Sequence, residues 1–188
     1  MSASTEQPFL TDVNELRRRA REHIDDGAMT STYGGDVKKA ISILNDALAT
    51  ELVCVLRYKR HYYCATGISS EGVKEEFAEH AAEEQEHADM LAERITELGG
   101  EPDFNPQGLI SRSHSQYVEG KDLVDMIKEN LVAERIAIDS YREQIRYFGS
   151  NDPTTRRMLE EILEKEEEHA DDMHDLLVAH QGKPFIKN

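Results

Sequence analysis

The sequence predicts an all-α protein built as a four-helix bundle. Three observations carry that reading. Trp is absent, only 5 of the 188 residues are Pro, and Ala, Glu, Leu, Lys and Arg are plentiful, a mix that favours helices over strands. Four long segments repeat apolar residues at intervals of three and four, the period of a helix with one buried face. The links between these segments run short, long, short. That is the pattern of two antiparallel hairpins joined by one long crossover, although link lengths alone also admit other packings.

The elements follow in order. Residues 1–35 form an N-terminal arm, in which NELRRRAREH reads as a short helix capped by Thr11 or Asp12, and TSTYGG at 30–35 breaks it. The bundle occupies residues 36–180. Its first helix runs from about Asp36 to Ala65 and stops before Gly67. The second runs from about Glu71 to Leu98 and ends at Gly99-Gly100. A link from about Gly99 to Gly120 contains two prolines and is long enough to cross the bundle from end to end. The third helix runs from about Lys121 to Phe148. The fourth starts at Pro153, a good first helical residue, with Asp152 as cap, and reaches about His180. Residues 181–188 are a C-terminal tail.

Charge and cysteine usage restrict the partners. With 38 acidic and 22 basic residues the formal net charge is -16, so the surface repels nucleic acid and attracts cations. The basic run Arg17 to Arg21 could in principle contact DNA. Beside the acidic EHIDD, it reads instead as part of a surface helix, and no DNA partner is expected. No apolar run approaches the roughly 18 residues of a membrane span, so no membrane partner is expected. MSASTEQPFL lacks the basic and apolar regions of a secretory signal. Cys54 and Cys64 fall on one helix, roughly 15 Å apart along its axis, too far for a disulfide. They read as free thiols in a reducing, cytoplasmic setting.

The apolar stripes carry the chemistry. The first helix gives Leu44, Leu48, Glu51, Val55 and Tyr58, and the third gives Ile127, Leu131, Glu134, Ile138, Tyr141 and Ile145. The second gives Phe77, Ala81, Glu84, Ala88, Leu91 and Ile95, and the fourth gives Leu159, Ile162, Glu166, Ala170, Met173 and Leu177. Each stripe contains one glutamate. Four buried carboxylates in one small bundle repel one another, and each is expensive unless paired or coordinated. Basic residues are absent from the neighbouring stripe positions, so a bound cation is the simplest compensation.

A repeat organises these residues. EQEHAD at 84–89 returns as EEEHAD at 166–171. Glu84 and Glu166 each have a His three residues later, His87 and His169, on the same helix face. Glu51 and Glu134 each have a Tyr seven residues later, Tyr58 and Tyr141. Glu84 follows Glu51 by 33 positions and Glu166 follows Glu134 by 32. Each hairpin thus brings one lone Glu and one Glu-x-x-His to a shared centre. Taken alone, EEEHADD reads as a solvated charge run. Two such motifs with matched glutamates and tyrosines, all on apolar stripes, read as a dinuclear site. Four carboxylates and two imidazoles suit iron or manganese, whereas zinc sites more often carry fewer carboxylates or some thiolates.

LNDALATELVCVLRYKRHYY, EEQEHADMLAERITELGGEP, VAERIAIDSYREQ and LEEILEKEEEHADDM resemble the bacterioferritins and the Dps-like members of the ferritin-like superfamily. The resemblance covers about residues 36–180 and implies a ferritin-like four-helix bundle with an intrasubunit diiron site. It implies that Glu84 and Glu166 bridge the metals, that Glu51 and Glu134 are terminal ligands, and that His87 and His169 each cap one metal. It also implies a cytoplasmic ferroxidase that oxidises Fe(II) with O2 or H2O2 and stores the product in a homo-oligomeric cage, with manganese or zinc able to substitute for iron. In bacterioferritins a Met ligating haem follows the second helix's bridging Glu. Here that position is Gln85, so no haem is expected. The short tail lacks the fifth helix of larger ferritins, which implies a dodecamer, with a shell of twenty-four chains as the alternative.

Other functions remain open at this point. A non-storing diiron or dimanganese peroxidase or catalase could use the same ligands, and a Dps-like cage could protect DNA. His80, one turn before Glu84, is a candidate for an extra metal site beside its plainer reading as a polar, partly exposed side chain. Cys54, three residues after Glu51, faces the site and reads as a small buried hydrophobe. Tyr58 and Tyr141 are candidates to hydrogen-bond the terminal carboxylates.

Overall fold

The structure, a computed structural model, describes residues 12–67 and 70–181. Thr11 and residues 182–188 of the expected tail lie outside the described residues. Contacts divide the chain into an N-terminal unit ending at Gly34 and a unit beginning at Gly35.

In the first unit, α1 (Val13–Arg19) is capped by Asp12, whose side chain accepts from the backbone N–H of Asn14 and Glu15. The helix ends earlier than the sequence pattern predicts. His23 takes a left-handed backbone conformation (φ 51°), and a 3-10 turn follows at Ile24–Asp26. Two of the arm's four arginines pair with its acidic residues. Arg18 binds Glu15 at 2.8 Å and also Glu22, and Arg19 approaches Glu15 at 3.2 Å.

The second unit is all-helical over its described residues. It comprises α2 (Val37–Cys64), α3 (Ser70–Glu97), α4 (Leu109–Arg112), α5 (Leu123–Phe148) and α6 (Pro153–Gln181). The pairs α2–α3 and α5–α6 pack along their lengths as hairpins, and the hairpins meet through α2–α5 and α3–α6. The four long helices begin within two residues of the expected positions. α5 starts at Leu123 because Asp122, with its side chain on the N–H of Asp125, is the N-cap. Asp152 accepts from the N–H of Thr155 at the start of α6. It also receives the Arg94 guanidinium at 3.1 and 3.2 Å, fastening the end of α3 to the start of α6. No described helix is long and apolar enough to cross a membrane.

The crossover between α3 and α5 runs along α2 from its first half to its last turn. Asn45 bonds Glu101 O and Asp103 N. Thr50 receives the N–H of His114, and His61 meets Val118 O. The short helix α4, unforeseen from the sequence, lays Leu109 on Ala49 and Val53. Gly120 closes the link at φ +68°. A Cβ there would lie 2.6 Å from the Met126 side chain and 3.1 Å from its backbone, so the start of α5 requires glycine.

Every predicted stripe faces inward, with Leu131, Ile145, Ala170 and Leu177 half-buried at the margins. One apolar cluster, including Tyr58, Phe77, Ile127 and Met173, fills one end of the bundle. The expectation of no basic residue near the stripes is corrected by Arg57, which is fully buried on α2. Its guanidinium donates to Asn130 at 2.8 Å, Ser115 at 3.0 Å, Gln116 O at 3.1 Å and Cys54 Sγ at 3.4 Å. One side chain therefore ties α2, the crossover and α5 together. Arg57→Met should leave those buried acceptors unpaired and lower stability by about 3 kcal/mol. Urea titration measures the loss, and backbone hydrogen exchange around residues 113–118 should rise with it. An unchanged midpoint would show that the guanidinium does not hold the strap.

Candidate metal centre

The four long helices deliver the six expected side chains to one place. Glu51 comes from α2, Glu84 and His87 from α3, Glu134 from α5, and Glu166 and His169 from α6. None is more than 4% exposed. They form two quartets, each with one ligand atom per residue and all such atoms within 4.8 Å of one another. One is Glu51, Glu84, His87 and Glu166, and the other is Glu84, Glu134, Glu166 and His169. Glu84 and Glu166 belong to both quartets, while each lone glutamate and each histidine belongs to one.

Charge crowding shapes the protonation of the group. Burial pushes the Glu84 carboxyl far above the usual range, and Glu166, Glu51 and Glu134 push it further. Glu166 is raised in the same way, by burial and then by Glu51 and Glu134, against the pull of His87. Glu51 stays below its ordinary value. Burial, the largest influence, raises it, but hydrogen bonding with Glu84, His87 and Tyr141 outweighs burial. Burial disfavours a charged His87, yet the facing carboxylates of Glu166 and Glu51 lift it to about 10.

Hydrogen bonds leave much of the carboxylate surface bare. His87 Nδ1 lies 3.0, 3.3 and 3.5 Å from oxygens of Glu166, Glu84 and Glu51, and one N–H can serve only one of them. Glu51 Oε2, Glu84 Oε1, Glu134 Oε2, both oxygens of Glu166 and His169 Nδ1 receive no hydrogen bond. Buried acceptors converging without donors are the donor set of a cation site. Three carboxylates and one imidazole in each quartet suit iron or manganese.

The tyrosines act across the bundle. Tyr58 donates to Glu134 and Tyr141 donates to Glu51, so each serves the lone glutamate of the other hairpin. Burial, followed by the nearby carboxylates, raises both phenols well above their ordinary pKa, which keeps them donors. Glu83 is a functional candidate that the sequence reading missed. It meets His169 Nε2 at 2.8 Å. With Nε2–H donated there, the bare Nδ1 faces the centre, the usual outer-shell control of a ligand histidine. Glu83 and His169 are 86 positions apart, and no local pattern links them.

The remaining candidates divide. His80 is buried rather than partly exposed. Its ring stacks on His169 with centroids 4.0 Å apart, and Nδ1 lies 3.1 Å from the Tyr58 hydroxyl. Cys54 is buried, and burial raises its thiol to about 12, so it is an inert thiol. Cys64 is exposed and free. Gln85 donates to Asp89 at 3.0 Å. A cleft of about 450 Å3 between α3 and α6 reaches His87 and is edged by Glu86, Glu161, Glu164 and Glu168, an acidic approach to the centre.

A four-helix bundle around a buried carboxylate–histidine cluster defines the class: a helical protein with a candidate two-ion centre. The chain belongs to the ferritin-like family: the family profile for the ferritin-like domain matches residues 41–181. Over 154 residues it is 32% identical to the DNA protection during starvation protein of Pyrococcus furiosus, spanning 80% of this chain and 82% of that one. It is 29% identical over 132 residues to the bacterioferritin of Desulfovibrio desulfuricans, spanning 70% of each chain. The fold is similar to that of a dodecameric thioferritin, the bacterioferritin-related protein from Bacteroides fragilis. That match has a TM-score of 0.76 and 34% identity, and it covers 82% of this chain and 94% of the other.

Four buried carboxylates without enough donors destabilise the metal-free bundle. Glu84→Gln keeps the shape and removes the cost of holding that carboxyl protonated in the core at neutral pH, and should raise the melting temperature of chelator-treated protein, a gain of about 1 kcal/mol or more in stability. The same variant should lose most of the stabilisation that divalent metal gives the wild type. Thermal denaturation with and without cobalt(II) measures both. A variant that melts lower without metal would mean that Glu84 serves packing.

Proposed function

We propose that the protein is a ferroxidase that oxidises Fe(II) and stores the product as mineral in a hollow homo-oligomeric cage. The single observation that carries this reading is the pair of quartets sharing Glu84 and Glu166. In it, Glu84 and Glu166 bridge two iron ions, Glu51 and Glu134 are terminal, and His87 and His169 each complete one side. Two ferrous ions together supply the two electrons that reduce hydrogen peroxide to water, or dioxygen to peroxide.

The chain's own groups set the conditions for that exchange. Four ionised carboxylates balance the four charges of two ferrous ions, so the reduced pair sits in the core as a neutral assembly. After oxidation two positive charges are uncompensated, which favours departure of the ferric product. Tyr58 and Tyr141 hold one oxygen of each terminal carboxylate and leave the other for metal. Glu83 fixes the His169 ring. Manganese or zinc fits the same donors less selectively. Haem has no place in this reading, because Gln85 stands where bacterioferritins carry the ligating methionine.

Ferrous iron added in air should therefore be oxidised faster than in buffer, with Glu84→Ala and Glu166→Ala each losing the fast phase. Absorbance at the ferric charge-transfer band follows the rate, and the purified protein's spectrum should lack a Soret band. Wild-type rates in both variants would remove the assigned centre.

The cage rests on a separate observation. The bundle unit leaves large apolar side chains exposed: Leu56 and Tyr63 on one face of α2, Phe104 and Ile110 on the crossover, Val132 and Tyr147 on α5. Such side chains are available for burial between copies. The Bacteroides fragilis relative is a dodecamer, and we extend that number to this chain. Native mass measurement should give about twelve chains per particle. With Arg18 and Arg19 already paired inside the arm, those particles should not retard plasmid DNA in a gel. A monomer that oxidises iron would remove storage, and retarded DNA would favour a DNA-protecting cage.

A further inference from the structure

The polar seam between α3 and α6 continues beyond the six central residues. His80 Nε2 faces Asp172 Oδ2 at 3.5 Å and Glu76 Oε2 at 3.7 Å. Both separations are too long for good hydrogen bonds. Both suit two ligands of one ion with bonds of about 2.0–2.2 Å. The His80 side chain is 2% exposed, and the two carboxylates are 39% and 48% exposed, so a buried imidazole faces two half-exposed carboxylates.

We propose that Glu76, His80 and Asp172 bind a single divalent transition-metal ion, at a site separate from the dinuclear centre. Hydrogen-bond direction supports it. The Tyr58 hydroxyl has one proton and donates it to Glu134. His80 Nδ1, 3.1 Å from that hydroxyl oxygen, must then be the donor in their contact. The neutral ring that donates through Nδ1 carries a bare lone pair on Nε2. That lone pair points at two carboxylates, which have nothing to donate. Three acceptors converge, and a cation resolves the conflict. The imidazole selects a transition ion such as Fe(II), Co(II) or Zn(II) over Mg(II), which prefers oxygen donors and keeps its water.

The internal repeat supplies a control. An offset of 82 positions relates α3 to α6, so Glu76, His80 and Asp172 correspond to Met158, Ile162 and Met90. Those three line adjoining clefts on the α3–α6 seam, Met90 with Ile162 and Met90 with Met158. The three equivalent positions are apolar in one half of the seam where the other half carries a histidine and two carboxylates. The bundle fold therefore does not need polar residues at these places.

Cobalt(II) binding to the full-length protein under nitrogen, counted by equilibrium dialysis in excess magnesium, tests the site without relying on ferroxidase activity. Glu76→Gln/Asp172→Asn alters half-exposed residues only and should bind one ion fewer per chain than wild type. Glu84→Gln/Glu166→Gln should retain one ion per chain, lost when the first pair of substitutions is added. Equal counts for wild type and Glu76→Gln/Asp172→Asn would overturn the site, as would no binding by Glu84→Gln/Glu166→Gln. A count unchanged by Glu84→Gln/Glu166→Gln but lowered by Glu76→Gln/Asp172→Asn would overturn the dinuclear reading and keep this one.

Discussion

Four glutamates share the centre of a bundle with nothing around them able to satisfy all their oxygens. In a medium of low polarity, like charges a few ångströms apart strongly oppose one another. The surroundings respond at every level. Glu84 and Glu166 are driven toward their protonated forms, His87 is driven toward its charged form, and two tyrosines are spent on the terminal glutamates. Arg57, fully buried nearby, adds a positive charge in the field of Glu134. None of this removes the bare oxygens, which is why metal is the natural completion of the core. Apolar residues such as Leu44, Leu48, Leu91 and Ile95 on one side and Phe77 and Ile127 on the other are buried above and below the polar layer. Their burial offsets its cost.

The duplicated hairpin explains both the symmetry and its limits. Repeating one Glu and one Glu-x-x-His on each hairpin produces two equivalent quartets of candidate ligands with two shared carboxylates, without any further device. The crossed tyrosine bonds add a constraint between the copies, because Tyr58 completes Glu134 and Tyr141 completes Glu51. A shift of one hairpin against the other breaks both bonds at once. The repeat is broken beyond these eight residues. Glu83 orients His169, but its counterpart is Lys165, which approaches Glu83 at 3.4 Å. The two quartets therefore share Glu84 and Glu166 and differ in what surrounds them.

How much was readable in advance follows from this arrangement. A glutamate inside an apolar stripe is visible because period and residue type conflict at one position. The four helices, their directions and the six central residues were legible on that ground. Contacts between distant helices were not. Glu83 reads as one more acid in EEQEHAD, and only the packing of α3 on α6 brings it to His169. The sequence relates Tyr58 and Tyr141 only to the glutamates seven residues before them, and the crossing appears only when the hairpins face each other. Arg57 lies off the predicted stripe, and its burial depends on partners in a crossover whose course the sequence does not specify. The i,i+4 relation of Glu76 to His80 was available as a local signal. Asp172, on another helix, was not.

The crossover shows how a connection becomes part of the core. Its backbone bonds step along α2 from Asn45 through Thr50 to His61, so the link is held at both ends and in the middle. At the middle, Ser115 and Gln116 O join Asn130 of α5 around the Arg57 guanidinium. A neutral side chain there would leave the strap without its anchor and the carboxylate layer without a nearby positive charge. A lysine could keep the charge, but its single ammonium cannot reach acceptors arranged in a plane on three separate segments. The same residue thus answers two demands made by one topology. The long link must be pinned to the bundle it crosses, and the acidic centre gains from a positive charge placed outside the two quartets.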